Sequence, residues 1–233
     1  MSISPSPTPQ EKLNLALARL EGQYGKQTRY SSKQPMEQLI STILSQRTTY
    51  ADERLAFKRM WDRYGSWPAI AAAEVEELTQ LIAPSNYPEV KAPRIQQVIR
   101  QVEAERGDFE LSFLSEWAPE AAMRWLMRLP GVGYKTATFL LLFVFRQPVL
   151  PVDTHVHRVS QRLGLIGPKV SKDKAHRQLP ELLPPRAAEL LNFHKLFFKH
   201  GQRVCRWSHP ACAQCHLQDL CAAYQRGDTS YRG

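Results

Sequence analysis

The sequence has 233 residues, 43% of them hydrophobic and 23% charged, which is enough for one large or two modest domains with packed cores. A total of 31 Lys and Arg against 22 Asp and Glu gives a net charge of +9, which suits a polyanionic partner such as nucleic acid, although a basic surface can also serve solubility. No apolar run is long enough to span a bilayer, and the N-terminus lacks the basic and apolar parts of a secretory signal, so we expect neither a membrane protein nor a secreted one.

The N-terminal residues 1–9 are polar and proline-rich, and we expect them to form a disordered tail. A helix is predicted to start after Thr8, because Thr as the N-cap, Pro9 at the first helical position and Glu11 at the third are typical of a helix start. Apolar residues at helical spacing predict further helices within residues 36–44, 55–64, 67–83, 95–102 and 119–129. Strand patterns are nearly absent, so we predict an all-α fold.

A glycine-rich turn is predicted in the sequence Leu-Pro-Gly-Val-Gly, where Gly131, Val132 and Gly133 join two helices. The glycines permit positive φ angles and leave no side chain to hold a ligand away. Backbone N–H groups at the start of the next helix would point outward, where the helix dipole favours an anion such as a DNA phosphate. A turn of this kind is, by itself, more often only a turn.

Lys135 follows this turn, in the first turn of a helix that is apolar nearly all round and is therefore predicted to be buried. The positive end of the helix dipole and partial burial are both expected to lower the lysine pKa towards the neutral amine that a nucleophile requires. The alternative is a lysine whose ammonium group simply reaches water. Asp153 precedes another predicted helix, closed by Gly164, and should cap it while its other oxygen faces a ligand.

The four cysteines all fall within the last thirty residues, at the spacing C-x6-C-x2-C-x5-C: Cys205, Cys212, Cys215 and Cys221. Such clustering favours a metal site in a reducing compartment over two disulfides, which remain the alternative. Four thiolates suit either a structural zinc ion or an iron–sulfur cluster, and the chemistry of the ligands alone does not separate the two.

The motif LPGVGxKTA, the aspartate of VDTH eighteen residues after the lysine, and the cysteine spacing together resemble the helix-hairpin-helix DNA glycosylases of the endonuclease III family. The resemblance covers residues 10–225, roughly. It implies that Lys135 attacks C1′ of a damaged nucleotide, forms a Schiff base and cuts the strand by β-elimination. It also implies that Asp153 activates the lysine or stabilises positive charge on the sugar, and that the four cysteines hold a [4Fe–4S] cluster.

The same resemblance implies two helical lobes with the active site in the cleft between them. One lobe is a helical barrel of residues 29–147 with the helix-hairpin-helix. The other combines residues 10–28 with residues 148–233 and carries the cluster. The expected partner is double-stranded DNA that contains damaged bases or abasic sites, bound by a monomer in the cytoplasm. Beside the first cysteine, Arg203, Arg206 and His209 are expected to form a basic loop that grips DNA.

Base excision requires the nucleotide to be flipped out, and Gln46 matches the glutamine that the family inserts into the gap, with Arg47 beside it. An ordinary polar helix end is the alternative interpretation. Asn86 and Tyr87 are predicted to contact the opposite strand. The sequence departs from the family pattern after Gln46, where many members have Ala-Thr-Asp and this chain has Arg47-Thr48-Thr49 and so lacks an acidic residue, and at Tyr134, which replaces a common arginine.

We therefore predict a bifunctional DNA glycosylase and abasic-site lyase that removes oxidised pyrimidines. A mismatch-specific thymine or uracil glycosylase is the nearest alternative, because the sequence QRTT at Gln46 also resembles that group. A non-catalytic helix-hairpin-helix DNA-binding protein with a structural metal is the alternative from another class. Simple phosphate binding, however, needs neither Lys135 nor Asp153.

Overall fold

The structure, a computed structural model, describes residues 7–229. Most of the predicted tail, residues 1–6, lies outside the described residues. Within residues 7–229 all regular elements are helices and no strand occurs, which confirms the predicted all-α class. No helix in this range combines the length and the apolar character that a membrane span requires.

Twelve α-helices follow one another along the described chain, with short 3-10 turns at Ser112–Ser115, Cys212–Gln214 and Gln218–Leu220. They are α1 Pro9–Tyr24, α2 Pro35–Leu44, α3 Tyr50–Tyr64, α4 Trp67–Ala72, α5 Val75–Leu81, α6 Pro88–Arg106, α7 Pro119–Leu126, α8 Tyr134–Phe143, α9 Thr154–Leu163, α10 Lys172–Glu181, α11 Ala187–Arg203 and α12 Ala222–Gln225.

The chain divides into two compact units. The central unit comprises residues 31–146 and contains α2–α8. The terminal unit combines the residues up to Tyr30 with those from Gln147 onward, and so contains α1 and α9–α12.

The start of α1 confirms the predicted capping motif. The Thr8 hydroxyl accepts a hydrogen bond from the Glu11 N–H at 3.3 Å, and the Glu11 carboxylate accepts one from the Thr8 N–H at 2.8 Å. Two N–H groups that would lack partners at the helix end are thereby satisfied.

The core of the central unit is built around α2, which packs against α3, α6 and α8. Seven of the ten α2 residues are buried, and α6 contributes a continuous apolar face. Full burial of each large aliphatic side chain contributes roughly 1.5–3 kcal/mol. The side chains that α2 and α6 bury completely are Leu39, Ile40, Ile43, Leu44, Ile95, Val98, Ile99 and Val102.

In the terminal unit α11 packs against both α9 and α1. The contact with α9 is close at Gly201, where an added Cβ would lie 2.8 Å from the Cβ of His155. Arg158, only 2% exposed, donates from Nε to the Cys205 carbonyl at 2.9 Å and from Nη2 to the Gly201 carbonyl at 2.8 Å. The buried guanidinium therefore ties α9 to the end of α11.

Candidate functional site

The predicted glycine turn lies in the central unit, between the end of α7 at Leu126 and the start of α8 at Tyr134. Gly131 has a positive φ of 77°. Gly133 does not: it is the N-cap of α8, with an extended backbone at φ −93° and ψ −179°. Positive φ is thus used at Gly131 and not at Gly133, because a helix N-cap has extended backbone torsions.

Gly131 also lies against Arg94, since a Cβ added to it would approach the Arg94 Cδ to 2.2 Å, whereas a Cβ at Gly133 would meet nothing within 4 Å. We expect Gly131→Ala to lower the free energy of unfolding by roughly 1–3 kcal/mol through positive-φ strain and this overlap. Gly133→Ala is the matched control and should change it by less than about 1 kcal/mol. Urea denaturation of both variants measures the difference, and equal stabilities would contradict this account of the turn.

Lys135 is the second residue of α8, and its side chain is half-buried. Its Nζ lies 5.0 Å from the centroid of the Phe139 ring, one helical turn further along. Seven of the ten α8 residues are buried, which confirms the predicted burial of this helix. The rigid helix and the aromatic ring together fix the direction of the lysine side chain.

Asp153 lies in the terminal unit, where it caps α9: its Oδ1 accepts a hydrogen bond from the Val156 N–H at 2.8 Å. The capping role is confirmed. The segment that leads to it is held by two buried histidines, because His194 Nδ1 lies 2.8 Å from the Pro151 carbonyl and His176 Nδ1 lies 3.3 Å from the Leu150 carbonyl.

A carbonyl oxygen can only accept a hydrogen bond, so each of these histidines donates from Nδ1. Burial lowers the pKa of His176, which favours its neutral ring. Sequence reasoning did not single out His176 or His194, because their partners lie 26 and 43 residues away along the chain.

Four residues predicted to contact DNA meet on the central unit. Gln46 Nε2 donates to the Gly131 carbonyl at 3.0 Å, and the Arg47 guanidinium lies 5.8 Å from the centre of the Tyr87 ring. Asn86 donates from its side chain to the Arg47 carbonyl. The structure thus brings the end of α2, the loop before α6 and the glycine turn together.

Arg47 and Tyr87 both have left-handed backbones, with φ angles of 54° and 60°. This conformation is unfavourable for residues with a side chain and costs roughly 1–2 kcal/mol at each position. Both side chains are exposed, and they border a surface pocket of about 260 Å³. The full lining of this pocket is Gln46, Arg47, Tyr87, Val90, Lys91 and Arg94.

Sequence reasoning missed Lys91, which is 3% exposed beneath this pocket. Burial, with a smaller contribution from Arg94, lowers the pKa of Lys91 to about 8. The available signal was periodicity, because Lys91 precedes Ile95 by four residues and so falls on the buried face of α6.

The two threonines after Arg47, of which Thr49 stands where many family members have aspartate, have structural roles. Thr48 Oγ1 lies 3.0 Å from Lys91 Nζ and accepts the Asn86 N–H at 3.1 Å. Thr49 is the N-cap of α3, where its Oγ1 accepts the Asp52 N–H at 3.2 Å. The acidic residue expected from the family pattern is therefore replaced here by a neutral helix cap.

The cysteines form the second candidate site, in the terminal unit. All four lie within the described residues, and none is in a disulfide. They line one largely apolar pocket beside α9, the end of α11 and α12. The four are Cys205, Cys212, Cys215 and Cys221.

Hydrogen-bond donors surround two of the sulfur atoms. Arg162 Nη1 lies 3.3 Å from Cys205 Sγ, while the Leu217 N–H and His200 Nε2 lie 3.4 and 3.6 Å from Cys215 Sγ. Arg162 Nε and His200 Nδ1 are buried without a hydrogen-bond partner in the described part of the chain. Donors aimed at sulfur suit thiolates better than thiols.

Burial, with the neighbouring cysteines, raises the pKa of the Cys215 thiol to about 11, and burial likewise raises the pKa of Cys221. A bound cation would favour deprotonation of these two thiols. Among residues 7–229, however, no three His, Cys, Asp or Glu side chains are placed to hold a single metal ion. The arrangement is a thiol-lined pocket rather than a compact set of ligands around one ion.

The loop between the first two cysteines is held by Arg162, which sequence reasoning also missed. Its guanidinium donates to the Arg206 carbonyl at 2.6 Å and to the Trp207 carbonyl at 2.9 Å. The Arg206 and His209 side chains of this loop are exposed, as is Arg203 at the end of α11.

The sequence is similar to those of known base excision DNA repair proteins. A family model described as an HhH-GPD superfamily base excision DNA repair protein matches residues 40–185. Endonuclease III of Thermotoga maritima is 35% identical over 192 residues, which are 82% of this chain and 84% of that protein. Endonuclease III of Synechocystis sp. is 34% identical over 194 residues, which are 82% of this chain and 82% of that protein.

Solved structures of DNA glycosylases are also similar to this chain. A trapped endonuclease III–DNA covalent intermediate matches with a TM-score of 0.81 and 27% identity, covering 95% of this chain and 99% of that one. A thermostable thymine-DNA glycosylase matches with a TM-score of 0.74 at 19% identity, over 94% of this chain and 97% of that one, which is a likeness of fold alone. Since the family model spans more than half of the sequence and these relatives cover most of it, the chain belongs to the HhH-GPD superfamily of base excision DNA repair proteins and, within it, to the endonuclease III family.

Proposed function

We propose that the chain is a bifunctional DNA glycosylase and abasic-site lyase that removes oxidised pyrimidines from double-stranded DNA. The observation that carries this proposal is the half-buried Lys135 in the first turn of α8, directly after the turn that holds Gly131 and Gly133. A primary amine at a fixed position beside a phosphate-binding turn suits attack on the sugar of a bound nucleotide.

In the proposed reaction, the neutral amine of Lys135 forms a bond to C1′ while the bond from C1′ to the base breaks and the base leaves with a proton. The sugar ring then opens, and the nitrogen becomes an iminium ion at C1′. Loss of a proton from C2′ expels the 3′ phosphate by β-elimination, and water hydrolyses the imine and frees the lysine. Asp153 supplies the carboxylate that stabilises positive charge on the sugar as the base departs.

Gly131, Val132 and Gly133 bind a DNA phosphate through their backbone, and Gln46, Arg47 and Tyr87 fill the space left by the flipped nucleotide. The grouping of the last three residues around one exposed pocket supports this assignment. Arg203, Arg206 and His209 add phosphate contacts from the terminal unit. We assign the helix-hairpin-helix lobe to residues 29–147 and the cluster lobe to residues 10–28 with 148–233.

The four cysteines hold a [4Fe–4S] cluster in the terminal unit. The shared pocket and the donors aimed at two of the sulfur atoms support the fit. When bound, the cluster supplies cationic iron that stabilises the thiolates. Arg162, which contacts Cys205 and two carbonyls of the following loop, keeps that loop in its DNA-binding position.

The test is covalent trapping with borohydride on duplex oligonucleotides that carry thymine glycol, dihydrouracil, uracil, mismatched thymine or an abasic site. Borohydride reduces the imine, so a lyase of this kind gives a stable protein–DNA adduct. We expect adducts with the abasic site and with the two oxidised pyrimidines. No adduct with any of them would refute the lyase proposal.

A mismatch-specific thymine glycosylase is the second candidate, favoured by the sequence of residues 46–49. In that case the protein would excise mismatched thymine from its duplex faster than it excises thymine glycol. The same oligonucleotide panel therefore distinguishes the two activities.

A further inference from the structure

Lys91 makes more hydrogen bonds than a structural lysine usually does. Its Nζ lies 2.8 Å from the Leu44 carbonyl, 2.7 Å from the Gln46 carbonyl, 3.0 Å from Thr48 Oγ1 and 2.8 Å from Ser85 Oγ. An ammonium group has three protons, so these four oxygens occupy all of them. The partners lie up to 47 residues before Lys91 in the sequence.

These partners belong to two separate segments of the central unit. One is the end of α2 at Leu44 with the turn of residues 45–48 that follows it, which carries Gln46 and Arg47. The other is the loop of residues 84–87 before α6, which carries Tyr87. The two segments also bond directly, because the Asn86 N–H donates to Thr48 Oγ1 at 3.1 Å and the Ser85 hydroxyl donates to the Leu44 carbonyl at 2.8 Å.

Such a junction is needed because both segments are strained at the residues they expose. Arg47 and Tyr87 have φ angles of 54° and 60°, which the surrounding structure must enforce. The Lys91 ammonium binds the carbonyl one residue before Arg47 and lies beside the helix C-terminus of α2, where positive charge is favoured. Removal of the ammonium would release both segments at once.

We propose that Lys91 is a positioning residue for strand insertion: it locks the 45–48 turn to the 84–87 loop, so that Gln46, Arg47 and Tyr87 enter the duplex as one preformed wedge. The inference rests on the proposed function, because it presupposes that these side chains fill the gap left by a flipped nucleotide. Lys91 does not react with the substrate itself, since it is 3% exposed and its protons are all engaged.

The experiment compares two substrates in single-turnover borohydride trapping at saturating protein. One is an abasic site in a fully paired duplex. The other carries the same abasic site within a three-nucleotide bubble of mismatched bases, where the strands are already separated and no wedge is required. The wild-type protein gives the reference ratio of the two rates.

We expect Lys91→Met to slow trapping on the paired duplex by about tenfold or more, because a misplacement of about 1 Å can cost up to about 100-fold. Trapping on the bubble should stay within about twofold of the wild type, since Lys135 is untouched. Thr48→Val, which removes one acceptor with little change of shape, should shift the ratio in the same direction by a smaller amount. Lys58→Met, at an exposed lysine of α3, is the matched control and should leave the ratio unchanged.

If Lys91→Met lowered the trapping rate equally on the two substrates, the inference would be overturned. Lys91 would then be needed for folding in general or for the chemical step. If Lys91→Met does not fold, Thr48→Val decides, and an unchanged ratio in that variant overturns the inference. A wild-type protein that forms no adduct with either substrate would instead refute the proposed function itself.

Discussion

Lys135→Gln is expected to abolish the borohydride-trapped adduct and to slow cleavage at an abasic site by roughly 1,000-fold or more. The glutamine amide has nearly the same length as the lysine stem but has no basic amine, so it cannot form an imine. Trapping and strand cleavage on the same abasic duplex measure the two losses.

Lys172→Gln is the control for this experiment. Lys172 is also a lysine in the first turn of a helix, α10, but it is exposed and has no proposed role in DNA binding. Its variant should trap DNA as the wild type does. A Lys135→Gln protein that still forms the adduct would show that another amine is the nucleophile, and it would remove the observation on which the proposed function depends.

Replacement of Cys215 by serine should remove the cluster and weaken DNA binding much more than it weakens the reaction of bound DNA. The Cys215 Sγ accepts a hydrogen bond from the Leu217 N–H at 3.4 Å, and burial raises the pKa of this thiol to about 11, so that without a metal it is protonated. We expect loss of the visible absorption of the iron–sulfur cluster, a clear fall in melting temperature and DNA binding weakened by about tenfold or more. Trapping at saturating protein should survive in the fraction that remains folded.

Ala213→Ser tests whether these effects come from the thiol rather than from the loop. Ala213 lies between Cys212 and Cys215 and is exposed, so the added hydroxyl leaves all four sulfur ligands in place. This variant should keep its absorption and its affinity for DNA. A wild-type protein that is colourless and contains zinc would contradict the proposed [4Fe–4S] cluster.

The features that sequence reasoning predicted are those whose cause is local. Thr8 and Glu11 cap α1, and Asp153 caps α9, because each bond joins residues three positions apart. The burial of α8 follows from its own composition. The predicted helix of residues 119–129 is three residues too long, since α7 ends at Leu126 and the Arg128 and Leu129 N–H groups bond three residues back in a tightened last turn.

The features that it missed depend on partners far away in the chain. Lys91 and His194 are ordinary helical residues in the sequence, and only the packed structure shows which carbonyls they bind. Thr49 illustrates the same limit, because its departure from the family pattern was visible while its role as the helix cap of α3 was not. Sequence pattern reports which face of a helix is buried, but not which polar group it meets there.

The division of the chain has a consequence for the order of folding. Residues 31–146 are contiguous, so the central unit can complete its core as soon as this stretch has been synthesised. Helix α1 is made before the central unit but packs against α11, and the Gln27 N–H bonds the Asn192 side chain, which is made 165 residues later. Until α11 has been made, the apolar side chains that α1 buries in the finished protein stay exposed. They are Leu13, Ala16 and Leu20. Helix α1 therefore leaves the ribosome well before its partner α11 and docks late, and its apolar face is exposed to aggregation in the meantime.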